Sequence, residues 1–341
     1  MIKSLKYKLA ILALIFVSYN IIAQTDSRKA IAKKGDGIYS LLKRNNLDPS
    51  EYLNTFIILN KDILGNNNAL ITGKSYLLPE TNGIGNKGNG INSGTEKVTE
   101  YPIFGSKYSK VNIIDNQLKG AVYYLVAGHG GPDPGALGKY GNYTLSEDEY
   151  AYDVTVRLAR KLIQHGATVY MIIKDNNDGI RDENILSIDR DEVTYPNKTI
   201  PINPLQRLKQ RTEAINTLYK KHKGSYQRLV VVHLDSNIKS EDIDVYFYHH
   251  SRSRSGKKLA NSIYTTFKNK YAQHQPNRGY RGTIKTRNSL YMLRNTDPGT
   301  VYIELGNINN PRDQQRFVLT DNRQAVAQWI SEGIIQDKKS K

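Results

Sequence analysis

The sequence predicts an α/β fold, with a mostly parallel open sheet covered by helices on both faces and a small βααβ unit in front of it. Three observations carry that expectation. The apolar runs Val122–Val126, Thr168–Ile173, Leu229–Val232, Val245–Tyr248 and Thr300–Ile303 read as strands buried on both faces. Between the first two, Tyr150, Val154, Leu158 and Leu162 recur every fourth residue and mark one face of a helix; Leu208–Tyr219 and Lys258–Phe267 behave alike. Strand–helix–strand alternation feeds a parallel sheet, and such sheets bind ligands beyond the carboxyl ends of their strands.

The chain opens on Lys3, Lys6 and Lys8, followed by the apolar run Leu9–Val17 and a small residue at Ala23. A basic start, a short apolar stretch and a small residue read as an export leader, residues 1–23, cut after Ala23. Ile21 stands where a small residue is preferred, so an uncleaved membrane anchor is the alternative, although the run is short for a span. Export places the mature chain in the periplasm or cell envelope, or outside the cell. There is no cysteine, which excludes disulfides, thiolate nucleophiles and thiolate metal sites. The formal charge of +17 favours polyanionic surfaces. For an exported chain those are anionic envelope polymers rather than nucleic acid; a basic surface that serves only solubility is the alternative.

Residues 28–80 make up the small unit. Ala30–Ala32 leads to the turn Lys34-Gly35-Asp36-Gly37, Ile38, Leu41 and Leu42 fall at helical spacing, and Asn45-Asn46 ends that helix. Asp48-Pro49-Ser50 restarts a helix with Phe56, Ile57 and Leu59 on its face, and Leu70–Pro79 closes as a strand with Gly73 at a turn. This unit resembles the lysin motif (LysM), on Lys34-Gly35-Asp36, Leu59-Asn60, Gly73 and Leu78-Pro79; Gly37 departs from the usual Thr or Ser. The resemblance implies binding of N-acetylglucosamine-containing glycans, with Gly35, Asp36 and Asn60 as candidate binding residues. A bare spacer is the alternative. Residues 81–118 form a linker and lead-in; Thr81–Glu100 is crowded with Gly and Asn and free of proline, hence flexible.

In the large unit, residues 119–337, three chemistry-bearing residues stand at the carboxyl ends of apolar runs: His129, His233 and Glu304. A fourth, Glu147, opens the helix after a glycine-rich loop, where the helix dipole favours a carboxylate. Two histidines and one carboxylate form the ligand set of a catalytic zinc with one open position. Zinc lowers the pKa of its water to about 7 and polarises a carbonyl, and a second carboxylate can move the proton. Those parts add up to metal-assisted amide hydrolysis. His249-His250 also lies near a strand end, but neighbours in a strand face opposite ways, so the pair reads as surface or rim. His165, His222 and His274 read as structural.

The motifs are similar to those of zinc-dependent N-acetylmuramoyl-L-alanine amidases of the Amidase_3 type. They are Gly128-His129-Gly130-Gly131 with Asp133-Pro134-Gly135-Ala136, the helix-opening Glu147, His233 in "VVVHLDS", and Glu304 in "ELGNINNP". The leucine spacing of its helix favours Glu147 over Glu149. The resemblance runs from about Ala121 to Ile335 and implies Zn²⁺ held by His129, Glu147 and His233. It implies catalysis by Glu304 and peptidoglycan as substrate, cut between the muramic lactyl group and L-alanine. Val126-Ala127, Leu234 and Asn307 depart from the family pattern without removing a ligand. A metallopeptidase acting on another wall amide and a catalytically silent wall-binding scaffold are the alternatives. The long segment 175–204 reads as either an insertion or a lid on the zinc cleft.

Overall fold

The computed structural model describes residues 28–47, 49–65, 69–80, 98–236 and 244–340. The export leader and most of the Gly/Asn-rich linker lie outside the described residues. The chain divides into two compact units near Gly85. No helix among the described residues is long and apolar enough to cross a membrane.

The small unit is the expected βααβ: β1 (Lys29–Ile31), α1 (Ile38–Arg44), α2 (Pro49–Asn60) and β2 (Ser75–Leu77). β1 and β2 pair antiparallel, with Ala30 opposite Tyr76. Leu41, Leu42, Phe56 and Tyr76 are fully buried and form its core. The amide of Asn60 clamps α2 to β2: its Nδ2 donates to the Phe56 and Leu77 carbonyls, and its Oδ1 accepts from Leu77 N, each at 2.8 Å. The Asp36 carboxylate accepts from Lys33 N at 2.7 Å and pairs with Arg44 Nη1.

The large unit begins earlier than the lead-in suggests. The hairpin of β3 (Thr99–Glu100) and β4 (Lys110–Val111) precedes β5 (Ala121–Ala127), and Phe104, Val111 and Leu118 already belong to its core. Then come the hairpin β6 (Leu137–Tyr140) and β7 (Tyr143–Ser146), α3 (Glu147–Gln164), β8 (Thr168–Met171) and β9 (Ile173–Lys174). Next are β10 (Val193–Thr194), β11 (Lys198–Thr199), α4 (Pro204–Lys221), β12 (Tyr226–Asp235) and β13 (Tyr246–His249). The chain finishes with α5 (Arg254–His274), β14 (Thr283–Thr286), α6 (Tyr291–Asn295), β15 (Gly299–Asn307), α7 (Pro311–Val318) and α8 (Thr320–Lys339).

The central sheet runs β14-β13-β15-β12-β5-β8. β8, β5, β12 and β15 are parallel, β13 runs antiparallel to β15, and β14 is parallel to β13. α8 packs against both α3 and α5, while α4 packs on α6. The crossover from β5 through α3 to β8 and the return through α4 to β12 run in opposite directions along the sheet. A constant right-handed crossover therefore puts α3 and α4 on opposite faces. Both β5 and β15 are buried along their whole length.

Two strands outrun their apolar cores. β12 continues through His233 to Asp235, and β15 continues through Glu304 to Asn307, so both residues lie inside strands rather than just after them. The strand at β14 has too little apolar character to show in the sequence. His249 is buried in β13 rather than on a rim; its Nδ1 meets the His250 carbonyl at 3.0 Å. The segment 175–204 is folded: β10 pairs with both β9 and β11.

Candidate metal centre

Each functional side chain reaches the site for a local reason. β5 is too apolar to stop at the surface, so the chain must turn sharply behind it at Gly128-His129-Gly130-Gly131. His129 itself has φ +60°, and Gly130 and Gly131 follow at +100° and +63°. The bridge from Gly130 N to the Asp133 carbonyl, 2.8 Å, closes this turn. Two glycines of the motif are required by the rings they touch. A Cβ on Gly128 would stand 2.4 Å from the His233 ring. One on Gly135 would stand 2.7 Å from the His129 ring and 2.8 Å from Glu147 Oε2.

Glu147 opens α3 and is buried. Its Oε2 lies 3.2 Å from His129 Nε2 and its Oε1 2.7 Å from His233 Nδ1. Backbone donors hold the same carboxylate: Ala136 N reaches Oε2 at 3.0 Å and Leu234 N reaches Oε1 at 3.1 Å. Leu234 thus serves the site through its backbone. The imidazole rings meet edge to face at 5.0 Å. One donor atom from each of His129, Glu147 and His233 lies within 4.8 Å of the others.

Second contacts set the tautomers. His129 Nδ1 faces Asp133 Oδ2 at 2.9 Å, which leaves Nε2 turned to Glu147. Asp133 is held in turn by Arg207 Nη2 at 2.7 Å, and Arg211 Nη2 donates to the His129 carbonyl at 2.5 Å. His233 stacks on Tyr302, centroids 4.5 Å apart. β12 and β15 pair with His233 opposite Glu304, so those two residues face the same side of the sheet, and Tyr302 shares it by the two-residue repeat.

The electrostatics fit a cation. Burial opposes charge on Glu147, but hydrogen bonds to both imidazoles outweigh it and hold the carboxyl far below its usual range. Burial likewise opposes charge on His129, yet the bonds to Asp133 and Glu147 push its pKa up to about 9. A proton there occupies the place a metal would take, since a ligating imidazole must be neutral. Burial pushes His233 below its ordinary value. Glu304 goes the other way: burial first, then the charges of Glu147 and Asp235, drive its pKa well above the carboxylate range. Its Oε2 is fully buried and has no hydrogen-bond partner among the described residues. Two nitrogens and one carboxylate, with an open carboxyl alongside, suit a zinc-type site.

All four residues expected from the sequence come together here. Glu149 does not join them; its carboxylate pairs with Arg181 at 2.8 Å. Asp133 was visible only as part of a motif. Arg207 and Arg211 carried one faint signal, their four-residue spacing on the face of one helix.

The Amidase_3 profile, described as N-acetylmuramoyl-L-alanine amidase, matches residues 124–336. Over 223 residues the chain is 25% identical to the germination-specific N-acetylmuramoyl-L-alanine amidase of Bacillus subtilis, covering 64% of this chain and 80% of that protein. It is 26% identical over 225 residues to the probable cell wall amidase LytH of Staphylococcus aureus, covering 64% of this chain and 59% of that one. Among solved structures, the CwlD amidase from Clostridioides difficile, in complex with the GerS lipoprotein, is similar at 23% identity and a TM-score of 0.49. That match covers 64% of this chain and 99% of CwlD.

Proposed function

Because the chain belongs to the Amidase_3 family of N-acetylmuramoyl-L-alanine amidases, we propose that it is an exported, zinc-dependent cell-wall hydrolase. Its substrate is the peptidoglycan amide between N-acetylmuramic acid and L-alanine. The observation that carries this reading is the convergence of His129, Glu147 and His233 within one ion's reach, beside Glu304, whose Oε2 is buried without a partner among the described residues. Zinc bound there supplies an activated water and a polarised carbonyl.

The chain's own residues do the rest. Asp133 holds His129 in the tautomer that presents Nε2. Glu147 and the stacked Tyr302 fix the His233 ring. Glu304 takes a proton from the attacking water and gives one to the departing L-alanine nitrogen. Burial and the charges of Glu147 and Asp235 raise its pKa, which suits a carboxyl that takes up and then releases a proton.

In this reading the small unit is a lysin motif that holds glycan. The Asn60 amide and the Asp36 carboxylate work within the fold, and Gly35, at φ +87° with open space beside it, is the candidate left for close approach of a sugar. Anchoring the large unit through a wall-bound small unit raises the local concentration of stem peptides. The leader, the glycan contact and zinc itself belong to this proposal.

Incubating the purified chain with purified sacculi, with and without a chelator, tests it by mass analysis. Intact stem peptides beginning at L-alanine, released only without chelator, are expected. Cleavage elsewhere in the stem would make it a different peptidase, and no release would leave a binding protein.

A further inference from the structure

Beside the imidazole site lies a second cluster that contains no imidazole. Asp148 and Glu149, the residues after Glu147 in the first turn of α3, meet Glu192 from the segment 175–204. Their relative exposures are 1%, 1% and 4%, and one carboxylate oxygen from each lies within 4.8 Å of the other two. Three buried carboxylates this close repel strongly unless protons or a cation offset them. Arg181 engages Glu149 Oε2 and Asp178. Among the described residues no guanidinium or ammonium bonds to Asp148 or Glu192.

The oxygens are unevenly occupied. Asp148 Oδ1 accepts from Ser146 Oγ and Glu149 N, while Asp148 Oδ2 is shut off from solvent with no partner. Glu192 spends Oε2 on Gly131 N, 2.6 Å away, in the turn that carries His129. Asp189 borders the cluster: its N–H donates to Glu149 Oε1 at 2.8 Å, and its own Oδ1 is buried and unpartnered.

We propose that Asp148, Glu149 and Glu192 hold a second cation, Ca²⁺, distinct from the imidazole-bound ion. All-oxygen donors select a hard cation. A buried, all-carboxylate cage suits Ca²⁺ better than Mg²⁺, which sheds its waters reluctantly. The ion would pin 175–204 to the first turn of α3 and, through Glu192, to the turn bearing His129. That gives the long segment a role in setting two of the zinc ligands. The proposal rests on these carboxylates alone and stands whether or not the chain cuts peptidoglycan.

Equilibrium dialysis of the full chain against calcium chloride, with one equivalent of zinc chloride present, followed by metal analysis, tests it. One calcium per chain is expected, and calcium should raise the melting temperature. Glu192→Gln should weaken calcium binding by about tenfold or more and abolish the rise, because charge count sets affinity in such sites. Should that variant fail to fold, Asp148→Asn is read the same way. Wild-type protein that takes up no calcium would overturn the proposal, showing carboxyls neutralised by protons instead. So would calcium uptake unchanged in both variants, or calcium displaced by the single equivalent of zinc.

Discussion

His233 and Glu304 stand opposite each other in the parallel pairing of β12 with β15, which sets a metal-ligand candidate and an unpartnered carboxyl side by side on one face of the sheet. Parallel register alone accomplishes this, since paired residues on neighbouring strands point the same way. The consequence is a carboxyl whose ionisation is opposed by burial and by the charges of Glu147 and Asp235, next to a His/Glu/His group that could hold a metal.

Replacing Glu304 with Gln separates function from stability. Amidase turnover on sacculi should fall by about 10²–10⁴-fold, the range lost with a general acid–base. The same change removes a group that resists ionisation and has no partner at Oε2, so the melting temperature should hold or rise. Parallel turnover and calorimetry check both halves; a large drop in melting temperature would make Glu304 a structural residue.

Asp133→Asn should weaken zinc binding by about 10–100-fold while the fold survives, because the carboxylate at His129 Nδ1 sets the tautomer that frees Nε2. Competition with a chromogenic chelator reads the affinity, and circular dichroism reads the fold. Unchanged affinity would deny Asp133 its positioning role.

Gly128→Ala inserts a methyl 2.4 Å from the His233 ring. The expected cost is about 1–3 kcal/mol of stability, as for other overpacked sites, together with loss of stoichiometric zinc. Thermal unfolding and metal analysis of the variant decide the matter; a variant with wild-type zinc content would mean the ring can move aside.

In the small unit, Asp36 predicts an acid dependence. Burial works against its charge, but the bonds from Lys33 N, Arg44 and Ser40 outweigh it and lower its pKa. A depressed carboxyl contributes stability above its unfolded value of 3.8 and loses it as pH falls through the lower folded value. The unit's unfolding midpoint should therefore decline below about pH 4, and Asp36→Asn should flatten that decline. Denaturant titrations across the acid range measure it.

Much of this was legible from the chain. The apolar runs betrayed β5, β12 and β15, because strands buried on both faces need continuous apolar residues. The polar residues beside those runs marked His129, His233 and Glu304. β14 was not legible, since Thr283–Thr286 is a half-exposed edge strand whose pairing with β13 substitutes for apolar content. β12 and β15 run past their apolar residues through His233 and Glu304 for a related reason: backbone pairing continues wherever a neighbouring strand does, whatever the side chain.

By itself, then, the sequence determined the alternation of strands and helices, and which residues had the chemistry to bind a cation or move a proton. Only the tertiary structure decided that the two oxygens of Glu147 would each meet a different imidazole, and that Gly128 and Gly135 must lack a Cβ to admit those rings. It alone brought Glu192 from the long segment to Asp148 and Glu149. Periodicity along a chain records burial against water, which is local and repeats; the meeting of side chains far apart in sequence depends on strand order and register, which leave no period to read.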